Sequence, residues 1–489
     1  MREPTRRTAL FGTLATAVAV VGFAPGAGAW ATERPASGSS DFEDIPELDG
    51  TLLTDGSSRD EAAEDFGHIV HHRPAAVLRP GSVRDVVRMT RFCRRHRIPV
   101  APRGEGHMTF GQAQVKGGLV ILTGPLNDIG EVRNDRVTVG AGARWSEVTK
   151  ATLRHGLTPP VFTDYLELSV GGTLSVGGLG GQTQRDGAQT DNVTELQVVT
   201  GAGELVRCSA RRNRELFDAV RAGLGQCAVI VGATIPLRRA PKTVRHYELP
   251  YTDLSVFMED QKRLVEEGRF DYVEGLVLPD DSGAFRVHVL EAVAYGPPAG
   301  PEPDDAELLA GLRFVPGQEN AETLDYYTFL DRLAPSVAEQ KEQGLWDDPH
   351  PWLNLLLPSS SASSLASGIL DDLSPEDVGP SGVVLLYPMR RRALETPLLR
   401  MPDDPAPYLL AVLRTAPPDE PATVKRLLAA NRSAYERVRD AGGTHYPVGS
   451  VPFRRADWQT HFGPVWPALV EARRRYDPAD ILTPGQGIF

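Results

Sequence analysis

The sequence predicts an α+β protein of two domains. Three observations lead there. The chain has 489 residues, and a domain usually holds roughly 100–200. From Ala75 onward, short apolar runs that fit strands alternate with stretches of helical period. After Pro241 the composition shifts and a second set of strand-like runs begins.

The elements follow in chain order. Ala76-Val77-Leu78 reads as a strand. A helix begins at Ser82, a side chain suited to cap it, with Val83, Val86, Val87 and Met89 on its apolar side. Ile98–Ala101, Leu119–Leu122 and Val137–Val139 read as strands, and Trp145 to Leu153 as a helix. Leu196–Thr200 and Glu204–Arg207 pair as a hairpin across Gly201-Ala202-Gly203. Glu215 to Val220 is helical, and Ala228 to Ile235 is a buried strand ending the first domain near Arg239. In the second domain, Glu248–Val256, Tyr272–Leu278, Phe285–Leu290, Val383–Tyr387 and Tyr408–Leu413 fit one sheet. Helices are expected at Asp304–Leu312 and Ala422–Ala441, and the tail from Asp457 to Phe489 as a helix, an Asp-Pro turn and a glycine-rich end.

Composition excludes several classes. The formal net charge is −12 with no long basic run, which argues against nucleic acid as a partner. Cys93, Cys208 and Cys227 are too far apart in sequence for a disulfide framework or a C-x-x-C metal site. His71-His72 has no companions at ligand spacing, so no metal is expected.

The first thirty residues read as an address. Arg6-Arg7 precedes an uncharged apolar stretch ending in Ala27-Gly28-Ala29, the order of a signal peptide. The paired arginines suggest the twin-arginine route, which predicts an exported protein with no stable membrane span. The boundaries are therefore 1–31 for the signal peptide and 32–65 for a polar linker. The first domain takes 66–240 and the second 241–443.

Two glycine loops stand out. Arg103-Gly104-Glu105-Gly106-His107 follows a predicted strand and lets backbone N–H groups approach an anion. It lacks the G-x-G-x-x-G spacing, because residue 109 is Thr, and Gly140-Ala141-Gly142 fails the same test. Six glycines lie between Val170 and Gln182. That density argues against a stable helix or strand and for backbone passing close to a large flat ligand.

These motifs resemble the cytokinin dehydrogenases. The resemblance lies in Arg103–His107 with Gly111-Gln112-Ala113, and in Thr163-Asp164-Tyr165-Leu166 running into Val170–Ser175. It continues in Phe270-Asp271-Tyr272-Val273-Glu274-Gly275, Leu345-Trp346-Asp347, Pro349-His350-Pro351-Trp352-Leu353-Asn354 and Tyr387-Pro388-Met389. His461-Phe462-Gly463 and Pro484–Phe489 complete it, so it spans roughly 66–489. The resemblance implies a fold related to vanillyl-alcohol oxidase. That fold has a PCMH-type FAD-binding domain, an inserted antiparallel-sheet substrate domain, and a C-terminal return, here 444–489, to the first. It implies FAD held by Arg103, Gly104, Glu105, Gly106, His107, Met108, Gln112, Asp164, Ser169, Ser175, Ile230, Thr483 and Gln486, and linked covalently through His107. No cysteine lies between Cys93 and Cys208 to make the second link found in related proteins.

The implied reaction oxidises a secondary amine on an adenine ring. Hydride leaves for flavin N5, and water cleaves the imine to adenine and an aldehyde. Oxygen or a quinone takes the electrons. Loss of the amine N–H needs an acceptor beside the nitrogen, and Asp164 matches the family's catalytic aspartate. Glu274 matches the residue that contacts the substrate's ring, and Phe270, Tyr272, Glu274 and Leu276 are expected on one strand face. His350 and Trp352 could line the same pocket. The chain departs from plant members at Met108, where they usually carry a hydroxyl, at Arg390–Leu394, and at Ser450-Val451-Pro452. An FAD oxidase acting on an alcohol or another secondary metabolite, and a flavin-carrying binding protein without turnover, remain open alternatives.

Overall fold

The computed structural model describes residues 20–33, 42–296 and 304–489. A parallel core opens the first domain. Ala76–Arg79, Leu119–Leu122 and Val100–Arg103 lie side by side in that order. Apolar residues fill both faces of these strands, as a sheet buried on both sides requires. The helix Val83–His96 packs on it, with Ser82 Oγ accepting from the Arg84 N–H at 3.2 Å. The C-terminal tail joins the edge: the Val100 N–H donates to the Ile481 carbonyl at 2.7 Å, and the Thr483 N–H to the Val100 carbonyl at 2.7 Å. A second sheet is antiparallel, in the order Leu205–Cys208, Glu195–Thr200, Ala228–Pro236, Arg136–Gly140.

The second domain is one eight-stranded antiparallel sheet. Its order is Asn320–Asp325, Thr243–Tyr251, Phe285–Tyr295, Tyr272–Pro279, Val383–Pro388, Tyr408–Leu413, Leu353–Leu357, Thr444–His445. One face packs under the helices Leu254–Glu267 and Pro421–Asp440, while the other turns toward the first domain. That turned face is the wall on which the site is built.

Several expectations are corrected. The strand expected at Glu248–Val256 ends at Tyr251, because Asp253 caps a helix over Leu254–Glu267 by accepting from the Val256 N–H at 2.9 Å. The helix expected at Asp304–Leu312 covers only Asp305–Leu308. The glycine-dense stretch contains a seven-residue helix, Val170–Val176. Tertiary packing overrides its poor propensity. Val170, Thr173 and Leu174 are buried, the Trp145 indole N–H donates to Thr173 Oγ1 at 2.9 Å, and a Cβ at Gly171 would lie 2.8 Å from that of Ala141.

The expected linker is also part of the fold from its middle on. Thr51–Leu53 pairs with Ala76–Arg79, and Gly56–Glu61 is a helix capped by Asp55. Polar neighbours hide two buried apolar pairs there, Leu52-Leu53 and Ala62-Ala63. Residues 1–19, with the arginine pair, lie outside the described residues. Gly22–Ala24 and Ala29–Ala31 form a hairpin, and buried Phe23 packs 4.9 Å from Trp30 and 5.9 Å from Phe92. The apolar end of an export signal and a buried strand have the same composition. Among the described residues, no helix is long and apolar enough to cross a membrane.

Candidate active site

A cavity of about 390 Å³ separates the two domains. On the first-domain side it is lined by the loop Arg103–Met108 with Gln112, by Ser169 and Ser175, and by Ile230, Thr483 and Gln486. Asp164, Tyr165, His350 and Trp352 complete a continuous lining with Tyr387 and Ala411 of the sheet. Every residue expected to hold the cofactor therefore reaches one cavity.

The first wall is largely backbone. A side chain at Gly104 would collide with Ser169 Oγ, so the two loops touch only because residue 104 is glycine. Gly106 sits at φ 71°, a region glycine enters without cost. Asp65 ties the loop from beneath, accepting from the Gly111 N–H at 2.7 Å and the Gly67 N–H at 3.1 Å. Burial pushes its carboxyl up to about 7, against the pull of these bonds and of Arg103. Thr109 Oγ1 donates to the Val448 carbonyl at 2.7 Å, and Gln112 Nε2 to Gly449 at 3.3 Å, joining the loop to the C-terminal segment. Thr483 holds φ 45°, uncommon for a β-branched residue. Its hydroxyl donates to the Gly225 carbonyl at 3.0 Å, and Gln226 Nε2 donates to its carbonyl at 3.1 Å. Ser169 Oγ and Gln486 Oε1 are buried with no partner in the protein. A close backbone cradle with orphaned polar atoms fits a large polar cofactor such as FAD.

His107 stands inside an aromatic box. The Phe66 ring stacks on it at 4.0 Å and on His350 at 3.8 Å from the same ring. Tyr165, Trp346 and Trp352 lie 5.1, 5.8 and 5.7 Å away. Burial, with His350 and Lys341 nearby, pushes the His107 imidazole down to about 3, so the ring is neutral at physiological pH.

The sheet wall carries the charge. Asp164 accepts from the Tyr272 hydroxyl at 3.0 Å and from Arg332 Nη2 at 3.0 Å. Arg332 also donates to the Tyr272 oxygen, and its Nε lies 3.1 Å from Glu291. Burial alone would raise the Glu291 carboxyl, but Arg332 and His246 outweigh it and hold it below the usual range. Glu274 is the opposite case. Burial, reinforced by Asp164, raises it well above the carboxylate range, and its Oε1 has no partner. One carboxyl is thus kept neutral beside another that is ion-paired, the separation that lets two acids take different roles.

Glu274 lies behind the cavity lining, between Tyr272 and Tyr387, rather than on it. Phe270 precedes the strand Tyr272–Pro279 and packs with Tyr247 and Val273 on the opposite face; Tyr272 joins Glu274 at the site, and Leu276 follows on their face, paired opposite Leu385. Sequence reasoning missed Arg332, Glu291 and His246. They sit on three separate elements, and no motif spacing links them. The loop Ala222–Gly225 was missed too, although Gly223 and Gly225 marked a turn.

Among the described residues, no group of His, Cys, Asp and Glu could hold a metal ion. All three cysteines are buried and unpaired.

Comparison with known proteins agrees with this geometry. Residues 74–209 match the family described as FAD binding domain, and residues 288–489 the one described as cytokinin dehydrogenase 1, FAD and cytokinin binding. An uncharacterized oxidoreductase, ORF5 in the fasciation locus of Rhodococcoides fascians, is 42% identical over 90% of this chain and 99% of its own. Cytokinin dehydrogenase 10 of Oryza sativa subsp. japonica is 36% identical over 91% of this chain and 90% of its own. Among solved structures, 6-hydroxy-D-nicotine oxidase from Arthrobacter nicotinovorans shares the fold, with a TM-score of 0.67 at 22% identity, over 89% of this chain and 96% of that one. With its cofactor cradle, its inserted antiparallel sheet and relatives that match over nearly their full length, the chain belongs to the cytokinin dehydrogenase family of FAD-dependent oxidoreductases.

Proposed function

We propose that the protein oxidises the secondary amine of an N6-isoprenoid adenine, with Asp164 as the group that takes the amine proton. The supporting observation is the setting of Asp164: it opens onto the cavity beside the cradle and is fixed by Arg332 and Tyr272. FAD, when bound, supplies the acceptor for the hydride that leaves the neighbouring carbon. A fixed acceptor at the nitrogen spares the chain from reorganising as the proton leaves. Glu274 is assigned to the substrate's ring from behind Tyr387, which lines the slot: held neutral and with its Oε1 unpartnered, it has a hydrogen to donate to a ring nitrogen where the ring displaces that tyrosine. Trp352 and His350 close the slot around the ring and exclude water.

Anaerobic mixing with isopentenyladenine is the test. The flavin is expected to bleach. A flavin that stays oxidised with this compound but bleaches with an alcohol would move the protein to another donor class, and one that no donor bleaches would make it a binding protein.

We also propose that FAD is attached through His107. Its neutral ring has a lone pair free of competing protonation, and Phe66 and the tryptophans hold it in place. Acid-precipitated protein is expected to stay yellow, and His107→Ala to yield a colourless pellet. Export by the twin-arginine route is proposed from Arg6-Arg7. Secretion unaffected by replacing both arginines with lysine would remove it. The N-terminus of the secreted protein also tells whether the hairpin strand Gly22–Ala24 is kept.

A further inference from the structure

A proton taken by Asp164 must leave before the next turnover, and the filled slot excludes the water that would carry it. Behind Asp164 the structure holds a continuous line of groups that can exchange protons. The Tyr272 hydroxyl has one hydrogen and two carboxylate acceptors, Asp164 Oδ1 at 3.0 Å and Glu291 Oε2 at 3.5 Å. Glu291 Oε1 lies 3.0 Å from His246 Nε2, and His246 Nδ1 lies 3.5 Å from Glu322 Oε1. The line starts in the cavity and ends at a carboxylate that is 49% exposed on the edge strand Asn320–Asp325. Its interior members are sealed: the side chains of Glu291 and His246 are only 10% and 8% exposed.

Resting on the amine-oxidation reading above, we propose that Tyr272, Glu291 and His246 conduct the proton from Asp164 to Glu322 and so to solvent. The transfer balances at each step. The O–H bond on protonated Asp164 breaks as a new one forms on the Tyr272 oxygen. The hydrogen Tyr272 carried passes to Glu291, and Glu291 gives a proton to His246 Nε2. His246 releases the one on Nδ1 to Glu322, leaving the hydroxyl turned toward Asp164 and the imidazole neutral in its other tautomer; rotation of the hydroxyl and return of the imidazole to the first tautomer reset the line for the next proton. Arg332 touches Asp164, Tyr272 and Glu291 but never gives up its own proton. Its fixed charge holds all three at the distances the relay needs.

A plain structural ion pair would not need His246. The imidazole is faced by Glu291 from the strand Phe285–Tyr295 and by Glu322 from the edge strand. Glu248 on its own strand also acts on it, and the Phe329 ring lies 5.8 Å away. Burial disfavours its charged form, but these carboxylates prevail and raise its proton affinity above the usual histidine value. Two nitrogens, each within hydrogen-bond reach of a carboxylate on opposite sides of the ring, are what a shuttle requires.

Two measurements test the route. In the first, FAD-loaded protein is mixed anaerobically with isopentenyladenine in weak buffer with a pH-indicator dye. The lag between flavin bleaching and proton appearance is read in wild type, His246→Gln and His246→Ala. The lag is expected to lengthen about tenfold or more in both variants, and added imidazole should shorten it in His246→Ala. Proton release that keeps step with bleaching in both variants overturns the route. So does a loss of bleaching that imidazole leaves unrepaired, which would make His246 structural. The second measurement needs no substrate and survives if the His246 variants do not fold or if the amine is the wrong donor. The His246 titration midpoint is followed by NMR in ¹⁵N-histidine-labelled wild type and Asp164→Asn. A lower midpoint in the variant is expected, because a negative charge at the far end of the line is gone, and an unchanged midpoint overturns the coupling. Wild-type protein that fails to bleach while this midpoint shifts would reject the substrate and keep the route.

Discussion

The two walls of the cavity are built from different materials. On the cradle side, the ligand-facing surface is mostly glycine backbone, hydroxyls and an imidazole held neutral, with Arg103 and Glu105 as its charged members, and it is tied down by bonds between segments far apart in sequence. On the sheet side, Asp164, Glu274, Glu291, Arg332 and His246 crowd into one network whose members set one another's ionisation. The difference separates two tasks. Main chain and shape can bind a large cofactor whatever the state of the reaction, whereas moving a proton demands side chains whose charges respond to each other. Substitutions on the two walls should therefore fail differently: cradle variants lose colour, and sheet variants keep colour and lose rate.

The largest effect is expected at Asp164. Asp164→Asn keeps the shape and one acceptor oxygen but removes the charge paired with Arg332 at 3.0 Å. General-base contributions are typically about 10²–10⁴-fold, so the rate of flavin bleaching by isopentenyladenine should fall by that factor. FAD content should change little, since Asp164 is only one of the expected contacts and the loop Arg103–His107 is untouched. Bleaching at the wild-type rate would dissolve the contrast, leaving Asp164 as a turn residue.

Glu274 sharpens the comparison with a smaller effect. Because its carboxyl is held neutral, Glu274→Gln replaces a protonated acid with a near-isostere that still donates. The change should weaken substrate binding by about tenfold or less, the scale of one hydrogen bond, and affect the chemical step less than Asp164→Asn does. Raising the pH gives the sharper reading. A group whose proton affinity is raised in the folded state ionises on the alkaline side, placing a second negative charge beside Asp164. Apparent KM should rise toward alkaline pH in wild type and stay flatter in Glu274→Gln. Parallel profiles would mean that Glu274 is already ionised.

The walls also differ in how far the sequence exposes them. Local signals marked part of the cradle: the glycines at 104, 106 and 171 announce a turn or a close contact, whereas Ile230, Thr483 and Gln486 followed from the resemblance and Leu224-Gly225 from neither. The strand Leu119–Leu122 follows from a short apolar run and the helix Trp145–Leu153 from its period. The sheet network is non-local. Arg332 follows the short helix Tyr326–Leu330, His246 is inside a strand, and Glu291 is inside another, 45 residues from its histidine partner. Each reads by itself as an ordinary charge, and only the register of Thr243–Tyr251 against Phe285–Tyr295 brings them together. The helix Val170–Val176 shows the same limit, since the burial that offsets its two glycines is invisible to propensity.

The smallest effect expected is on stability, and it tests whether the carboxyl beneath the cradle is neutral in the folded chain. Asp65 is its one deeply buried carboxyl, 2% exposed, anchoring Gly67 and Gly111 beneath the His107 loop. Its proton affinity in the folded chain is raised, chiefly by burial, from 3.8 to about 7. Below pH ~4 the folded and unfolded chains both hold the proton, and nothing is lost. Between about 4 and 7 the unfolded chain releases it while the folded chain retains it, so stability falls as pH rises, and the loss levels off above about 7. Carboxylates with lowered affinity, such as Glu291 and Asp457, push the total the other way over the acid range. The measurable quantity is therefore the difference between wild type and Asp65→Asn, which does not titrate. The variant loses one acceptor oxygen, a cost of about 1 kcal/mol at every pH. The unfolding free energy of wild type relative to the variant should decline from pH 4 to 7, on the order of 1–4 kcal/mol if the whole shift is realised. A constant difference across that range would mean that Asp65 is ionised in the folded protein, held so by Arg103 and the two N–H groups, and that the cradle carries a charge pair of its own.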